Sequence, residues 1–152
     1  MITVRDMMSP KPITLSRLNS LYDARMLMAE KSFRHVPIVG DDGELIGLVT
    51  QRNVLASGVS SQAHIDKDEL AKIETGTLLA DIMTTDLVTI TAGASISAAA
   101  QLIHKHKFGC LPVVDDKGHL VGIITDHDFV EITMQLLDMM DASEPFDEDD
   151  EF

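Results

Sequence analysis

The residues best suited to binding a polar ligand form the segment Gly122-Ile-Ile-Thr125-Asp-His-Asp128, which joins a predicted strand to a predicted helix. A Thr at such a junction presents its hydroxyl together with the free N–H groups of the first helical turn, which suits an anion. Asp128 lies one turn further on, where it can accept two hydrogen bonds from vicinal hydroxyls such as those of a ribose. The same residues also fit a capping box, in which Thr125 caps the helix and Asp128 bonds back. The segment alone leaves both interpretations open.

Residue types typical of other chemistry occur in patterns that do not support it. Cys110, the single cysteine, lies in an apolar run and is interpreted as a small buried hydrophobe. His104 and His106 are two residues apart on a predicted helix, so they do not share a face, and no His/Cys set has zinc-ligand spacing. Thr50, Thr125 and Asp128 are the candidates for catalysis, and each fits better as a helix cap or a ligand contact. We therefore expect neither an enzyme nor a metal site.

The composition predicts a folded, acidic protein. The chain has 152 residues, 45% of them hydrophobic, and a net charge of −13. This excess of acid argues against a nucleic-acid partner, because neutralising phosphates requires clustered Lys and Arg. The sequence contains neither a signal-peptide pattern nor an apolar run that could span a membrane, and one cysteine fits a reducing compartment. We expect a cytoplasmic protein that binds neither nucleic acid nor membrane.

An internal duplication is the most informative feature of the sequence. Residues 4–55 align without a gap with residues 79–130, at a constant offset of 75. The matches include the pairs Asp6 and Asp81, Met8 and Met83, Ser20 and Ser95, Phe33 and Phe108, Pro37 and Pro112, Gly43 and Gly118, Gly47 and Gly122, and Thr50 and Thr125. Register kept through a proline and two turn glycines indicates two copies of one structural unit.

Each copy contains signals for the order β-α-β-β-α. The first three signals are a short apolar strand (Pro12–Leu15 and Leu87–Ile90), a helix capped by Ser20 or Ser95, and a hairpin that turns at Gly43 or Gly118. The fourth is a second helix, which begins at Thr50 in repeat 1 and extends from Thr125 to about Met140 in repeat 2. One such unit cannot bury both faces of a three-stranded sheet. We therefore expect an α/β (α+β) fold in which two units pack sheet against sheet about a pseudo-two-fold axis, leaving paired clefts where they meet.

The predicted boundaries follow from this duplication. Repeat 1 covers residues 1–57 and repeat 2 covers residues 77–137, with a linker at 58–76 in which residues 66–73 fit a short helix. Eight acidic residues and no Lys or Arg occur in 138–152, so we expect this tail to be disordered and solvated.

The combined pattern resembles the CBS motif, named after the domain pair of cystathionine β-synthase. It consists of Leu-Pro-Val-Val, a hairpin, Gly, two apolar residues and Thr-x-x-Asp, together with Asp6-Met-Met-Ser9, its copy Asp81-Ile-Met-Thr84, and Arg34–Val39. The resemblance covers residues 4 to about 130. It implies a tandem CBS pair, or Bateman module, that acts as a non-catalytic sensor and binds AMP, ADP, ATP or S-adenosylmethionine, with Mg²⁺ accompanying ATP. It also implies a homodimer and an effector protein that the sequence does not identify.

The resemblance further implies which residues contact the ligand. In cleft A they are Ser9, Pro12, Thr14, Phe33, Arg34, Thr125 and Asp128. In cleft B they are Thr50, Arg52, Asn53, Thr84, Leu87, Thr89, Phe108 and Gly109. Cleft B departs from the family pattern, because Asn53 replaces the ribose-binding aspartate and Gly109 replaces the arginine. An amide carries no charge, so we expect cleft B to be the weaker site.

One alternative to a sensor is a structural module that forms homodimers and binds no small molecule. The methionines at 26, 28, 134, 139 and 140 are interpreted as core or dimer interface in either case.

Overall fold

The computed structural model describes residues 1–57 and 66–143. Its elements are α1 (Val4–Met7), β1 (Ser9–Pro10), α2 (Leu21–Lys31), β2 (His35–Val39), β3 (Leu45–Thr50), α3 (Gln51–Ser57), α4 (Lys67–Gly76), α5 (Leu79–Ile82), β4 (Ile90–Thr91), α6 (Ile96–His106), β5 (Cys110–Val114), β6 (Leu120–Thr125) and α7 (Asp126–Ser143). The predicted order is present in both repeats, and each repeat also opens with a short helix, α1 or α5, that the sequence patterns did not indicate.

The helix caps and hairpin turns agree with the sequence. The Ser20 hydroxyl accepts a hydrogen bond from the backbone N–H of Asp23, and Ser95 does the same for Ala98. Gly43 and Gly118 have φ of 84° and 81°, in a backbone region that residues with a Cβ rarely adopt. Because these local signals recur in both repeats, β2–β3 and β5–β6 form equivalent antiparallel hairpins.

The first predicted strand of each repeat is shorter than expected. The segment Pro12–Leu15 retains one parallel bridge, from Leu15 to Ile38, and Leu87–Ile90 is reduced to β4, which pairs with β5 in parallel. The reason is that both segments pass from one repeat to the other. The residues just before each segment, Ser9–Pro10 and Thr84, pair with the hairpin of the opposite repeat, and the end of each segment pairs with the hairpin of its own, so neither forms a continuous ladder.

Pairings between the repeats are related by the same offset of 75. They are Ser9 with Ile123 and Thr84 with Leu48, Thr3 with Ser95 and Leu78 with Ser20, and the self-equivalent pair Glu44 with His119. A four-stranded sheet β1-β6-β5-β4 and a two-stranded sheet β2-β3 result. The pairing follows the pseudo-two-fold symmetry that the duplication predicts.

Buried side chains of the described residues form two clusters, one on each repeat, rather than a single layer between the sheets. Each cluster is completed by the opening helix of the opposite repeat. Val4 of repeat 1 packs in the cluster of repeat 2, and its counterpart Leu79 packs in the cluster of repeat 1; both are fully buried. The repeats therefore form one body.

The predicted linker contains a helix that packs on repeat 1. Helix α4 is capped by Asp66 and ends three residues later than the expected helix at 66–73. Glu74 on α4 is buried and forms a salt bridge with Arg25 on α2, with 2.8 Å between Oε2 and Nη2. Residues 58–65 lie outside the described residues.

Helix α7 extends into the segment 138–152 that was predicted to be a disordered tail. Residues 138–143 continue α7 instead of being disordered, because the chain meets no helix-breaking residue before Pro145. Residues 144–152 lie outside the described residues. No side chain of α7 is buried, and its exposed apolar residues are Val130, Met134, Leu136, Leu137, Met139 and Met140. No helix among the described residues is long and apolar enough to cross a membrane.

Candidate functional site

Cleft A lies between the repeats, where β1 pairs with β6. The pairing of Ser9 with Ile123 brings the opening segment of repeat 1 against the strand that ends at Thr125. The cleft has a volume of about 460 Å³. Six of the seven residues predicted for it line it: Ser9, Pro12, Phe33, Arg34, Thr125 and Asp128. The seventh, Thr14, does not line it, although its neighbour Ile13 does.

Thr125 and Asp128 cap their own helix and also line the cleft. Oδ2 of Asp128 accepts hydrogen bonds from the backbone N–H of Thr125 at 2.8 Å and from the Thr125 hydroxyl at 3.3 Å. The Thr125 oxygen lies 3.4 Å from the backbone nitrogen of Asp128. Oδ1 of Asp128 accepts no hydrogen bond from the part of the chain that the structure describes. The two interpretations left open by the sequence are therefore compatible, since one carboxylate oxygen serves the cap.

Further residues line cleft A besides the seven predicted ligand contacts. They are Ile13, Ser32, His35, Pro37, Ile123, Asp126 and His127. Strand periodicity could have identified Ile123, because alternate residues of a strand share a face and Ile123 precedes the predicted Thr125 by two positions on β6.

The charged groups of cleft A are of both signs. Arg34 is exposed and takes part in no ion pair with the described residues. Its backbone carbonyl accepts a hydrogen bond from the N–H of Gln51, which holds this loop at the start of α3. Asp126 and Asp128 lie on the side of repeat 2. A guanidinium can bind two phosphate oxygens at once, so Arg34 is the cation best placed for an anionic ligand group.

Cleft B is the symmetry-related cleft, but it is much smaller, with a volume of about 140 Å³. Five predicted residues line it: Thr50, Thr84, Leu87, Phe108 and Gly109. The other three, Arg52, Asn53 and Thr89, do not. Asn53 instead repeats the cap of repeat 2, with Oδ1 accepting from the Thr50 N–H at 2.8 Å and from the Thr84 hydroxyl at 3.5 Å.

His35 and Cys110 occupy equivalent positions in the two repeats. Burial lowers the pKa of His35 from its usual value, an effect that nearby Asp126 opposes and Arg34 reinforces. Burial also raises the pKa of the Cys110 thiol to about 12. Cys110 is 5% exposed, which confirms the predicted small buried hydrophobe. A thiol with this pKa remains protonated at neutral pH and is a poor nucleophile.

Comparison with solved structures shows similar chains along almost the whole length. A protein named for acetoin utilization (AcuB) from Vibrio cholerae is 42% identical, with a TM-score of 0.77, and the match covers 95% of this chain and 99% of that one. CBSX2, known from Arabidopsis thaliana and solved with AMP, is 30% identical, with a TM-score of 0.75 and coverage of 90% and 98%. The CBS domain pair of MJ0100, solved with 5′-methylthioadenosine and S-adenosyl-L-methionine, is 26% identical, with a TM-score of 0.72 and coverage of 89% and 98%.

Curated relatives include much longer proteins. Homoserine O-acetyltransferase of Methanocorpusculum labreanum is 35% identical over 124 residues, and inosine-5′-monophosphate dehydrogenase of Nitrosopumilus maritimus is 32% identical over 126 residues. The chain spans 23% of the length of each. The family model described as CBS domain matches residues 4–59 and 79–134, once for each repeat. The chain therefore belongs to the CBS-domain family and carries two CBS domains in tandem.

Proposed function

We propose that the chain is a non-catalytic regulatory module that binds an adenosyl ligand in cleft A. The observation that carries this proposal is the meeting of Arg34 and Pro12 of repeat 1 with Thr125 and Asp128 of repeat 2 in one cleft. Its volume of about 460 Å³ falls within the roughly 300–1,000 Å³ typical of small-molecule sites. The similarity to CBSX2 with AMP and to the MJ0100 pair with S-adenosyl-L-methionine supports the ligand class.

Each part of such a ligand has a partner of matching chemistry in the cleft. The adenine would pack against the apolar side chains of Pro12, Ile13 and Ile123. The ribose diol would donate to Oδ1 of Asp128, the carboxylate oxygen that the cap does not use. A phosphate would approach Arg34, whose guanidinium is exposed and not engaged in an ion pair with the described residues.

The charges of the cleft favour AMP or ADP among the nucleotides. Arg34 is opposed by Asp126 and Asp128, so the cleft offers little net positive charge to a triphosphate unless Mg²⁺ accompanies ATP. The same two carboxylates suit the sulfonium of S-adenosylmethionine, which is the second candidate. A sulfonium carries positive charge and would lie more favourably near Asp126 than a phosphate would.

A ligand in cleft A would act on the relative orientation of the repeats. It would contact residues from both, and a ligand shifts a conformational equilibrium by its preference for one geometry. An effector protein in the cytoplasm, and a homodimer partner, would detect the change in geometry. If no ligand binds, the alternative of a purely structural dimerisation module applies.

A thermal-shift panel separates the sensor from the structural module. A ligand that binds only the folded state at a hundred times its Kd stabilises it by about 2.7 kcal/mol, which raises the Tm of a domain of this size by roughly 5–10 °C. We expect this rise with AMP, ADP or S-adenosylmethionine. We expect a smaller rise with 2′-deoxy-AMP, which lacks half of the diol, and none with ribose 5-phosphate. An unchanged Tm with every adenosyl compound would favour the structural module.

A further inference from the structure

The two clefts are unequal although the repeats that form them are equivalent. Cleft A measures about 460 Å³ and cleft B about 140 Å³, below the lower limit of roughly 300 Å³ for typical small-molecule sites. Most lining positions of cleft B have lining counterparts in cleft A, including Thr84 for Ser9, Leu87 for Pro12 and Phe108 for Phe33. The difference in volume therefore requires a local cause.

The side chain of His35 marks the place where the symmetry fails. His35 lines both clefts, whereas its counterpart Cys110 lines cleft B alone. The imidazole lies against Gly109: a Cβ added there would come within 2.7 Å of the ring atoms Cε1 and Nε2. Arg34, the counterpart of Gly109, carries a long side chain. The glycine thus leaves space beside cleft B, and the ring of His35 fills it.

This arrangement depends on both residues together. A side chain at position 109 would force the imidazole to move, and a smaller residue at position 35 would leave the space beside Gly109 empty. The charged groups that act on the imidazole are those of Asp126 and Arg34. Burial of the ring favours its neutral form, which suits a side chain packed in a cleft wall.

We propose that the imidazole of His35, seated on Gly109, closes cleft B to adenosyl ligands, so that each chain binds one ligand in cleft A. This inference rests on the proposed function, since it specifies how many of the paired clefts that function uses. It assigns to His35 a role in site selection, in addition to its place in the lining of cleft A.

The test is the binding stoichiometry of AMP, measured by isothermal titration calorimetry on four forms of the full chain. They are the unaltered chain, Asn53→Asp, His35→Ala and the double variant. Asn53→Asp places a carboxylate at the position equivalent to Asp128. It should tighten any binding in cleft B by about tenfold, because a charge-assisted hydrogen bond replaces a neutral one. It leaves the His35 ring in place, so by itself it should not create a second site.

We expect one AMP per chain for the unaltered protein and for Asn53→Asp, and two for the double variant. His35→Ala alone should show a second, weaker site. His35→Cys, which places in repeat 1 the residue that repeat 2 has at this position, repeats the measurement with a different side chain if the alanine variant does not fold. His104→Ala, at an exposed histidine on α6, is the matched control and should keep one site.

Two results would overturn the inference while leaving the proposed function intact. The first is a stoichiometry of two AMP per unaltered chain. The second is a stoichiometry of one AMP per chain in both double variants, His35→Ala/Asn53→Asp and His35→Cys/Asn53→Asp, with their folding verified by circular dichroism. An absence of AMP heat from all forms, confirmed with S-adenosylmethionine as the titrant, would reject the proposed function and this inference together.

Discussion

At the scale of single residues, Asp128 and Asn53 form a natural comparison within one chain. Both accept a hydrogen bond at 2.8 Å from the N–H of the Thr that precedes their helix. The amide is thus sufficient for the cap, and the carboxylate of Asp128 exceeds what the cap requires. We propose ribose binding for Asp128 because this additional charge lies at cleft A.

His35 gives a prediction about pH. Because burial lowers its pKa in the folded state, the unfolded chain binds more protons as the pH falls below the usual value of 6.5. The stabilising effect of the neutral ring is complete above that pH and is lost as the pH falls. The free energy of unfolding, measured with urea between pH 7.5 and 5.5, should therefore decrease more for the unaltered chain than for His35→Gln. Equal slopes for the two proteins would contradict the lowered pKa.

The sequence predicted most of cleft A because its residues belong to a repeated motif. It missed Ile13 and Ser32, which lie beside predicted positions but carry no pattern of their own. It also placed Asn53 in cleft B, where the side chain turns to Thr50 and Thr84 instead. Such outcomes depend on side-chain packing between the repeats, which no short-range pattern encodes.

At the scale of elements, the exchange of the opening helices joins the two repeats. Leu79 belongs to repeat 2 but is fully buried in the cluster of repeat 1. Local signals predicted the capped helices and hairpins well, because caps and turn glycines act within a few residues. They could not predict the exchange or the shortened first strands, since both depend on which repeat each segment pairs with.

Replacing Leu79 by Ala tests the exchange. Leu79→Ala should lower the free energy of unfolding by about 2–5 kcal/mol, the usual cost of a cavity in a core. It should also reduce the hydrogen-exchange protection of β2 and β3, which belong to the opposite repeat. Leu78→Ala is the control, because the neighbouring side chain is 38% exposed. Protection lost only in β5 and β6 would contradict the packing of Leu79 in repeat 1.

At the scale of the whole molecule, α7 presents an apolar face that is exposed within the described part of the chain. Val130, Met134 and Leu137 are spaced by four and three residues, so they share one side of the helix, and each is more than half exposed. Met28, by contrast, is buried in the core, which divides the predicted methionine set between core and surface. This face is where we place the proposed homodimer contact.

Light scattering coupled to gel filtration checks this placement. We predict twice the chain mass for the unaltered protein and the single chain mass for Met134→Lys, because a charge in an apolar interface is strongly unfavourable. Gln135→Lys adds the same charge at an exposed neighbouring position and should remain dimeric. A monomer in all three cases, or a dimer that Met134→Lys leaves intact, would contradict it.

The proposed function requires that one cleft between the repeats holds an adenosyl ligand through Asp128. Calorimetric titration of Asp128→Asn with the best ligand of the thermal-shift panel tests it most directly, since the amide preserves the cap as Asn53 does. We predict an unchanged Tm without ligand and an affinity about ten- to a hundredfold weaker, corresponding to the roughly 1.5–3 kcal/mol of a charge-assisted hydrogen bond. An affinity equal to that of the unaltered chain would contradict the claim.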